Sequence, residues 1–271
     1  MTRTLDMTTR NSEYQRFETL KRNREKRARQ GLFFLEGVHP VEQAIQAGYA
    51  FYAIGVDSNA RLSGWAHDML EKANPEIVYR MGSDLHKELS DREEPCELLC
   101  LARQKPGLPL FSADPLALYA VFDRPSAPGN LGTVVRSADA FGARCVMTTG
   151  HAADFYDPQC LRASIGTLFR RPHVNLDGAE AAVSYLRAAP EKPLIVGTSA
   201  RGDALLNEVD LTGPVALIIG NETFGLSKAW KESCDVLARI PICGAASSLN
   251  AGSAATVCFY EVARQRGFRH E

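Results

Sequence analysis

Five short apolar strings in the second half of the chain place the strongest constraint on its fold. They are Leu118 to Phe122, Cys145 to Thr148, Leu194 to Val196, Val215 to Ile219 and Val236 to Ile240. The strings are continuous rather than alternating, which indicates strands that are covered on both faces, as in a parallel sheet between helices. A final helix is predicted from about Asn250 to Arg266, where apolar residues recur at helical spacing. This half is therefore predicted to be an α/β domain with a parallel sheet.

The first half also alternates strands and helices. Strands are predicted at Leu32 to Leu35, Phe51 to Val56, Ile77 to Met81 and Leu98 to Ala102, and helices at residues 40–46, at residues 65–73 and after a capping Ser83. The proline-rich stretch from Gln104 to Pro109, followed by Pro115, is a linker by composition. The predicted order is a basic arm at residues 1–30, a small α/β domain at 31–103, a linker at 104–116 and the larger domain at 117–271.

The N-terminal segment is strongly basic. Residues 1–30 carry nine Lys and Arg against four Asp and Glu, an excess of +5, whereas the rest of the chain has a net charge of −6. Such an arm on a mildly acidic body is typical of a protein with a polyanionic partner, usually a phosphate backbone. The predicted phosphate contacts are Arg22, Arg24, Lys26 and Arg27. A solvated helix face would have the same composition, and the arm alone does not separate the two interpretations.

Several classes of protein are disfavoured by what the sequence lacks. No run approaches the roughly 20 apolar residues of a membrane span, so no membrane partner is expected. The seven cysteines are scattered through apolar strings without paired ligand spacing, which predicts reduced thiols, no metal and a cytoplasmic protein. The patterns G-x-G-x-x-G, G-x-x-x-x-G-K-[ST], H-E-x-x-H and G-x-S-x-G are absent, so nicotinamide enzymes, P-loop NTPases, zinc proteases and α/β-hydrolases lack support.

A first polar loop follows the strand at Leu118 to Phe122. It runs from Asp123 to Gly132, with a Pro128-Gly129 turn and Asn130 placed to cap the next helix. Arg136 lies six residues after Asn130, so the two do not share one helical turn. Ligands of parallel α/β sheets bind beyond the carboxyl ends of the strands, which makes this loop a candidate site. An ordinary capped helix with a surface arginine is the alternative.

Two further loops of unusual composition follow later strands. The strand at Val215 to Ile219 ends in Gly220-Asn221-Glu222, where the glycine permits a close approach to the backbone. The strand at Val236 to Ile240 leads into a Gly/Ala/Ser-rich segment ending in Ser248-Leu249-Asn250, at the start of the final helix. Either loop alone could be a plain connection, but the three together are far more specific.

Together these loops resemble the three motifs of the SpoU/TrmH family of RNA 2′-O-methyltransferases, in order, across about residues 117 to 266. Phe33 to Pro40 also resembles the ribosomal-protein-like substrate-binding domain of that family. Within the family, Phe122 to Pro125, Gly150 to Asp154 and Ser247 to Ala251 are most similar to the avilamycin-resistance enzymes, which modify 23S rRNA. One departure stands out, because many members have Val-Ser where this chain has Ala251-Gly252.

The resemblance implies a deep trefoil knot in the second domain, S-adenosylmethionine as the cofactor, RNA as the partner and an obligate homodimer. It also implies site residues. The catalytic set is Asn130, Arg136, Glu222, Ser248 and Asn250, and the cofactor set is Thr198, Gly220, Asn221, Ile240, Ile242, Ser248, Leu249 and Asn250. Arg136 is predicted to stabilise the developing alkoxide at a site shared between subunits, and Asn130 and Glu222 are predicted to orient either Arg136 or the ribose. The pKa of a guanidinium exceeds about 12, so direct proton abstraction by Arg136 is unfavourable.

Other functions remain open at this level. A tRNA methyltransferase and a non-catalytic RNA- or ribosome-binding protein would both fit an α/β chain with a basic arm. Residues 32–103 form a domain that the tRNA enzymes of the family generally lack, which favours 23S rRNA. The complete set of motif residues argues against a mere scaffold. The sequence does not name the target nucleotide, nor decide between housekeeping and antibiotic resistance.

Overall fold

The computed structural model describes residues 2–107 and 113–268. The strands are β1 (Arg3–Met7), β2 (Leu32–Glu36), β3 (Phe51–Asp57), β4 (Ile77–Met81), β5 (Leu99–Arg103), β6 (Leu118–Asp123), β7 (Cys145–Thr149), β8 (His173–Leu176), β9 (Leu194–Thr198), β10 (Ala204–Leu205), β11 (Val215–Ile219) and β12 (Val236–Arg239). The α-helices are α1 (Ser12–Arg22), α2 (Arg24–Gln30), α3 (Val38–Gln46), α4 (Gly64–Ala73), α5 (Ser83–Leu89), α6 (Pro128–Ala140), α7 (Pro158–Ala163), α8 (Ala179–Ala188), α9 (Lys228–Ser233) and α10 (Ala251–Gln265).

The chain forms two compact units. The first comprises residues 1–105 and 156–170, and the second comprises residues 106–155 and 171–271. A single boundary in the linker therefore does not describe the packing, because residues 156–170 return to the first unit. They are held there by ring contacts of Phe33 with Tyr156 and Phe169. Part of the predicted linker, residues 108–112, lies outside the described residues.

The first unit is built on a five-stranded sheet with the order β1-β4-β3-β5-β2. Strands β1, β4 and β3 are parallel, whereas β5 is antiparallel to both β3 and β2. One prediction on this unit is wrong in detail: Ser83 does not cap α5, since the helix begins at that residue and Gly82 is the cap. The Ser83 hydroxyl instead donates to the Asp57 carboxylate over 2.9 Å, which ties the helix start to the end of β3.

The N-terminal thirty residues are part of this unit, and the expectation of a separate arm is wrong. Strand β1 pairs with β4, and α1 buries Phe17 and Leu20 completely. The segment is rich in basic residues, but its apolar residues recur at helical spacing and pack against the core of the first unit. Its basic residues consequently divide into exposed and buried groups.

Arg27 is the buried member of the predicted phosphate contacts. Only 1% of its surface is exposed, and its guanidinium donates to the carbonyls of Leu20 and Lys21 and to the Asp157 carboxylate at 3.0, 3.1 and 3.2 Å. A guanidinium committed in this way is not available to a phosphate, so the expectation for Arg27 is corrected. Arg22 and Arg24 are exposed, and Lys26 is half-buried.

The second unit contains a seven-stranded sheet with the order β10-β12-β9-β11-β6-β7-β8. Every pairing in it is parallel, and β6, β7 and β11 are buried along their whole length. The predicted parallel α/β sheet is thereby confirmed. Helices α6 and α10 pack against each other. None of the helices in residues 2–107 and 113–268 is long and apolar enough to cross a membrane.

The register of the central strands determines where the loops meet. Ile219 at the end of β11 lies beside Phe122 in β6, and Thr198 at the end of β9 lies beside Ala238 in β12. The loops that leave these four strands therefore begin at the same edge of the sheet. This is the carboxyl edge, at which ligands of parallel α/β sheets bind.

The buried ion pair of Arg27 predicts a large cost on its removal. We expect Arg27→Met to lower the free energy of unfolding by about 3 kcal/mol, because breaking a buried pair leaves the other charge uncompensated. Arg29→Met on the same helix is the matched control, and its exposed side chain predicts a change below about 0.5 kcal/mol. Urea denaturation followed by circular dichroism measures both. Equal losses in the two variants would contradict the structural role of Arg27.

Candidate functional site at the carboxyl edge of the second unit

A pocket of about 700 Å³ opens at the carboxyl edge of the second sheet. Its walls come from the loops after β9, β11 and β12 and from the start of α10; we call it the carboxyl-edge pocket. All eight residues predicted to contact a cofactor line it: Thr198, Gly220, Asn221, Ile240, Ile242, Ser248, Leu249 and Asn250. The volume lies within the range of small-molecule sites, about 300–1,000 Å³. The structure thus brings the predicted set together, and the contact of these residues with a cofactor stays a prediction.

Gly220 is required by the fold of the loop itself. A Cβ atom at this position would lie 2.6 Å from the carbonyl carbon of Gly225 and from the nitrogen of Leu226. The chain folds back on Gly220 because Asn221 and Gly225 exchange two main-chain hydrogen bonds, and Gly225 adopts a φ of 65°. From the sequence, Gly220 is expected to admit a ligand close to the backbone, whereas in the structure the backbone of residues 221–225 occupies that space.

The side chain of Asn221 holds this 221–225 loop together. Its Oδ1 accepts hydrogen bonds from the N–H groups of Thr223 and Phe224, at 2.9 and 3.0 Å. Its Nδ2 donates to the carbonyl of Arg124 over 2.6 Å. The amide is therefore used within the protein, and Asn221 shapes the wall of the pocket.

Glu222 joins the 221–225 loop to the start of α6. Its carboxylate accepts hydrogen bonds from the N–H and hydroxyl of Ser126, from the N–H of Ala127 and from Nδ2 of Asn130, at distances of 2.9–3.2 Å. Helix α6 begins at Pro128 and its cap residue Ala127 has no side-chain cap. The expectation that Asn130 caps this helix is wrong, because its side chain donates to Glu222, whose carboxylate binds the N–H groups of the two residues just before the helix.

The environment of Glu222 favours its charged form. Burial alone would raise the pKa of this carboxyl, but the hydrogen bonds from Ser126 and Asn130 outweigh it and hold the pKa below its usual value. The anion also lies at the positive end of the α6 dipole, which acts in the same direction. Glu222 is therefore a fixed negative charge at neutral pH rather than a proton carrier.

Asn130 and Asn250 extend the connection to the third motif. Nδ2 of Asn250 donates to Oδ1 of Asn130 over 3.1 Å, while Oδ1 of Asn250 accepts from Gly252 N–H at 2.9 Å and caps α10. A chain of hydrogen bonds thus runs from Glu222 through Asn130 to Asn250. One member of each predicted motif belongs to it, although the three are far apart in sequence.

The departure at Gly252 has a steric explanation. A Cβ atom there would lie 2.8 Å from Cγ2 of Thr133 on α6. Because α6 and α10 approach this closely, a serine at position 252 would require the neighbouring side chain to move. The absence of the usual serine therefore reflects how these two helices pack in this chain.

Arg136 stands apart from this network. Its side chain is exposed on α6, does not line the carboxyl-edge pocket, and has no hydrogen bond or ion pair with any described residue. Asn130 and Glu222 bond to each other rather than to Arg136, so they do not orient the arginine directly, and their action on the ribose stays a prediction. Ser248 lines the pocket with an exposed side chain. Arg136 is thus available to a group outside the chain, on a helix whose start Glu222 fixes.

Sequence reasoning missed several residues of the pocket wall. Among them are Ser199, Arg201, Phe224 and Lys231. The position of Arg201 just after β9 was the available signal, since Thr198 at the same strand end was identified. Residues 2–107 and 113–268 contain no group of three or more His, Cys, Asp or Glu arranged to hold a metal ion.

Comparison with known families gives two matches. The model of the SpoU rRNA Methylase family matches residues 117–260, which include the whole carboxyl-edge pocket. The model of the SpoU L30e-like domain matches residues 11–100. The second match includes α1 and α2, in agreement with the packing of the N-terminal residues in the first unit.

Individual relatives match over nearly the full length. The chain is 39% identical over 269 residues to a 23S rRNA (uridine(2479)-2'-O)-methyltransferase of Streptomyces viridochromogenes, covering 96% of this chain and 92% of the relative. It is 32% identical over 257 residues to the 23S rRNA (guanosine-2'-O-)-methyltransferase RlmB of Pseudomonas aeruginosa, covering 92% and 93%. The crystal structure of the SpoU methyltransferase AviRb from S. viridochromogenes with AdoMet superimposes with a TM-score of 0.90 at 39% identity, covering 96% of this chain and 100% of that one.

The capping role of Glu222 predicts a pH-dependent contribution to stability. Because its pKa is lowered in the folded state, the contribution is present above the unfolded value of about 4.5 and is lost as the pH falls through the folded value. We expect Glu222→Gln to lower the free energy of unfolding by about 1 kcal/mol at pH 7, as for the loss of a helix cap.

Urea denaturation between pH 7 and pH 3 measures this contribution. The difference between Glu222→Gln and the wild type should shrink as the pH falls below the usual value. Glu232→Gln is the matched control, since that side chain is 65% exposed on α9. A difference that stays constant with pH would contradict the capping role.

Proposed function

The chain belongs to the SpoU rRNA methylase family, and on that premise we propose that it transfers the methyl group of S-adenosylmethionine to a ribose 2′-hydroxyl of 23S rRNA. The observation that carries this proposal is the convergence of the second and third motif loops on one pocket of about 700 Å³, to which Asn130 of the first motif is joined by hydrogen bonds with Glu222 and Asn250. The full-length similarity to two 23S rRNA 2′-O-methyltransferases supports the class of substrate. The match of the first unit to the SpoU L30e-like domain favours rRNA over tRNA.

The residues of the carboxyl-edge pocket fit S-adenosylmethionine. Ile242 and Leu249 line the pocket, and 38% and 40% of their surfaces are exposed. Apolar surface is therefore available to an adenosine. Together with Ile240 they would hold the base by packing, and the main chain at Gly220 would hold the ribose by hydrogen bonds. When bound, the cofactor supplies a methyl group on a positively charged sulfur.

Arg136 is proposed to act on the nucleophile. A ribose 2′-hydroxyl is protonated at neutral pH and must lose its proton as it attacks. The exposed guanidinium of Arg136 would stabilise the developing alkoxide, while a phosphate or water accepts the proton. Ser248 and Asn250 would position the reacting groups, and the Glu222–Asn130 contact would keep α6, and therefore Arg136, in place.

A second copy of the chain is proposed to complete the site. Helix α10 exposes Val257 and Tyr260 at 39% and 47%, and the Tyr260 ring contacts Phe141 and the half-exposed Phe268. Exposed apolar side chains that adjoin one another are a common feature of surfaces that bind another protein. Because α6 packs against α10, a homodimer on this face would bring Arg136 close to the partner subunit.

Two finer features complete the proposal. The strand order β12-β9-β11-β6 requires the chain to pass from one side of β9 to the other between β11 and β12, which supports the deep trefoil knot of the family. A ribosomal RNA substrate supports a cytoplasmic location. Whether the methylation serves ribosome maturation or resistance to an antibiotic depends on which nucleotide is modified.

The experiment that tests the function is direct mapping of the product. The purified protein is incubated with unmodified 23S rRNA transcript and methyl-labelled S-adenosylmethionine in the presence of a chelator. We expect label in the RNA, at a single nucleotide that resists alkaline cleavage. Label on a base rather than a ribose, or label in tRNA alone, would refute the proposal.

The role of Arg136 predicts a separation of turnover from cofactor binding. We expect Arg136→Ala to reduce the single-turnover rate by about a hundredfold or more, as for the loss of an oxyanion-stabilising donor. The Kd of S-adenosylmethionine, measured by calorimetry, should change less than about twofold, since Arg136 does not line the pocket. The control is Arg187→Ala, which removes a half-exposed arginine paired with Asp235 outside the pocket. A near-normal rate in Arg136→Ala would assign the activation of the hydroxyl to another group.

The exposed and half-buried cations of α1 and α2 are proposed to bind RNA phosphates. Because Arg27 is buried, the set to neutralise becomes Arg22, Arg24, Lys26 and Arg29. Each phosphate contact that is lost should lower the slope of log K against log salt by about 0.7–0.9. RNA binding by the fourfold glutamine variant across a salt series measures the slope. An unaltered slope would show that these residues are a solvated helix face.

A further inference from the structure

Phe224 is an exposed aromatic side chain on the wall of the carboxyl-edge pocket. It is 76% exposed, whereas Tyr260 and Phe268, the next most exposed large apolar side chains among the described residues, are each 47% exposed. An exposed phenyl ring contributes no burial to folding, so packing within the chain does not explain it. Neither the motif comparison nor the proposed cofactor contacts assign it a role.

The loop that carries Phe224 is held rigidly from several directions. The main-chain N–H of Phe224 donates to Oδ1 of Asn221. Asn221 and Gly225 also form two main-chain hydrogen bonds with each other across the turn. Arg124 donates from Nη2 to the carbonyl of Gly225 over 3.2 Å, and the Arg124 carbonyl accepts from Asn221. The ring is therefore presented by a fixed backbone, which lowers the entropic cost of using it for binding.

Arg124 is itself anchored in the core of the unit. Its guanidinium pairs with the carboxylate of Asp123, which is 2% exposed and also accepts from the Thr149 hydroxyl and from the N–H of Ser227. The buried Asp123 carboxylate thus fixes both Arg124 and the main chain at Ser227, just after the 221–225 loop. The positions on either side of Phe224 are consequently set by the sheet.

The charges around the pocket indicate what the ring would bind. Arg201 and Lys231 line the same pocket, are exposed, and have no ion pair with any described residue. The carboxylate in the lining, Glu222, is occupied by its hydrogen bonds to Ser126, Ala127 and Asn130. An aromatic ring and unpaired cations on the wall of one pocket form the combination that binds unpaired nucleotides, through base stacking and phosphate attraction.

We propose that Phe224 stacks on an unpaired base of the RNA substrate, at or next to the nucleotide that is methylated, with Arg201 and Lys231 facing its phosphates. This inference rests on the proposed function and adds a specificity-determining contact within the second unit. Stacking on the ring replaces stacking on neighbouring bases, so the target nucleotide is held in an unstacked position at the pocket. The ring does not contact the reacting atoms, so its loss weakens RNA binding rather than the chemical step.

Substitutions at position 224 separate an aromatic requirement from a merely apolar one. We expect Phe224→Ala to raise the half-saturating concentration of 23S rRNA transcript between about fivefold and a hundredfold, the range that corresponds to the loss of one base–aromatic stack. Phe224→Leu should lose nearly as much, whereas Phe224→Tyr and Phe224→Trp should remain close to wild type. The maximal single-turnover rate and the Kd of S-adenosylmethionine should stay within about twofold. Leu5→Ala is the control, because Leu5 is exposed on β1 in the first unit.

Fluorescence of the Phe224→Trp variant provides a readout that does not require activity. After subtraction of the wild-type signal from Trp65 and Trp230, we expect octauridylate to quench the fluorescence of the introduced indole and S-adenosylmethionine alone to leave it unchanged. If the wild-type protein methylates no rRNA, the proposed function fails, and this quenching still decides whether residue 224 stacks on a base.

Three outcomes would overturn the inference. A normal half-saturating concentration for Phe224→Leu would mean that an aromatic ring is not needed. Weaker S-adenosylmethionine binding by Phe224→Ala would mean that the ring faces the cofactor. A shift from dimer to monomer in sedimentation of Phe224→Ala would mean that a second copy of the chain covers the ring.

Discussion

The hydrogen bonds of one carboxylate hold the candidate site together. Glu222 leaves the end of β11 and binds the free N–H groups at the start of α6, which itself follows the neighbouring strand β6. Through Asn130 the same group reaches Asn250 at the start of α10. Three loops from distant parts of the sequence are thus fixed relative to each other by a single charge. The pocket wall and the helix that carries Arg136 both depend on it.

This arrangement changes the meaning of the polar residues in the motifs. Asn221 and Glu222 would suggest ligand contacts from their position after a buried strand. In the structure their side chains are used by the protein, one within the 221–225 loop and the other at α6. These side chains shape and fix the pocket. Side chains that remain exposed to other molecules include Arg136, Arg201, Lys231 and the ring of Phe224.

The sequence was a good guide wherever continuous apolar runs fixed an element. The strands β6, β7, β9, β11 and β12 were predicted from such runs, and α10 from its helical spacing. Strand β8 was missed because His173–Leu176 is short and only its first residue is fully buried. The cap of α6 was also missed, since Glu222 lies more than ninety residues away and local patterns carry no information on such a contact.

Charge composition was the least reliable part of the sequence argument. Nine basic residues in the first thirty suggested a solvated arm, yet Arg27 is one of the most deeply buried side chains of the first unit. A count of charges contains no information on helical spacing. That spacing places Phe17, Leu20 and Arg27 on the buried faces of α1 and α2. The residues predicted to contact a cofactor do line one pocket, because they lie at or after the ends of parallel strands and the topology of the sheet brings such ends together.

The contact between Gly252 and Thr133 also bears on how this sequence can evolve. The two helices touch at a position where an added side chain meets a neighbour, since a Cβ at residue 252 would come within 2.8 Å of the threonine methyl group. A lineage that acquires serine at 252 must shift the side chain at 133 or replace it with a smaller one. The two positions should therefore covary among relatives, and a substitution tolerated in one family member would be damaging in another that differs at the partner position.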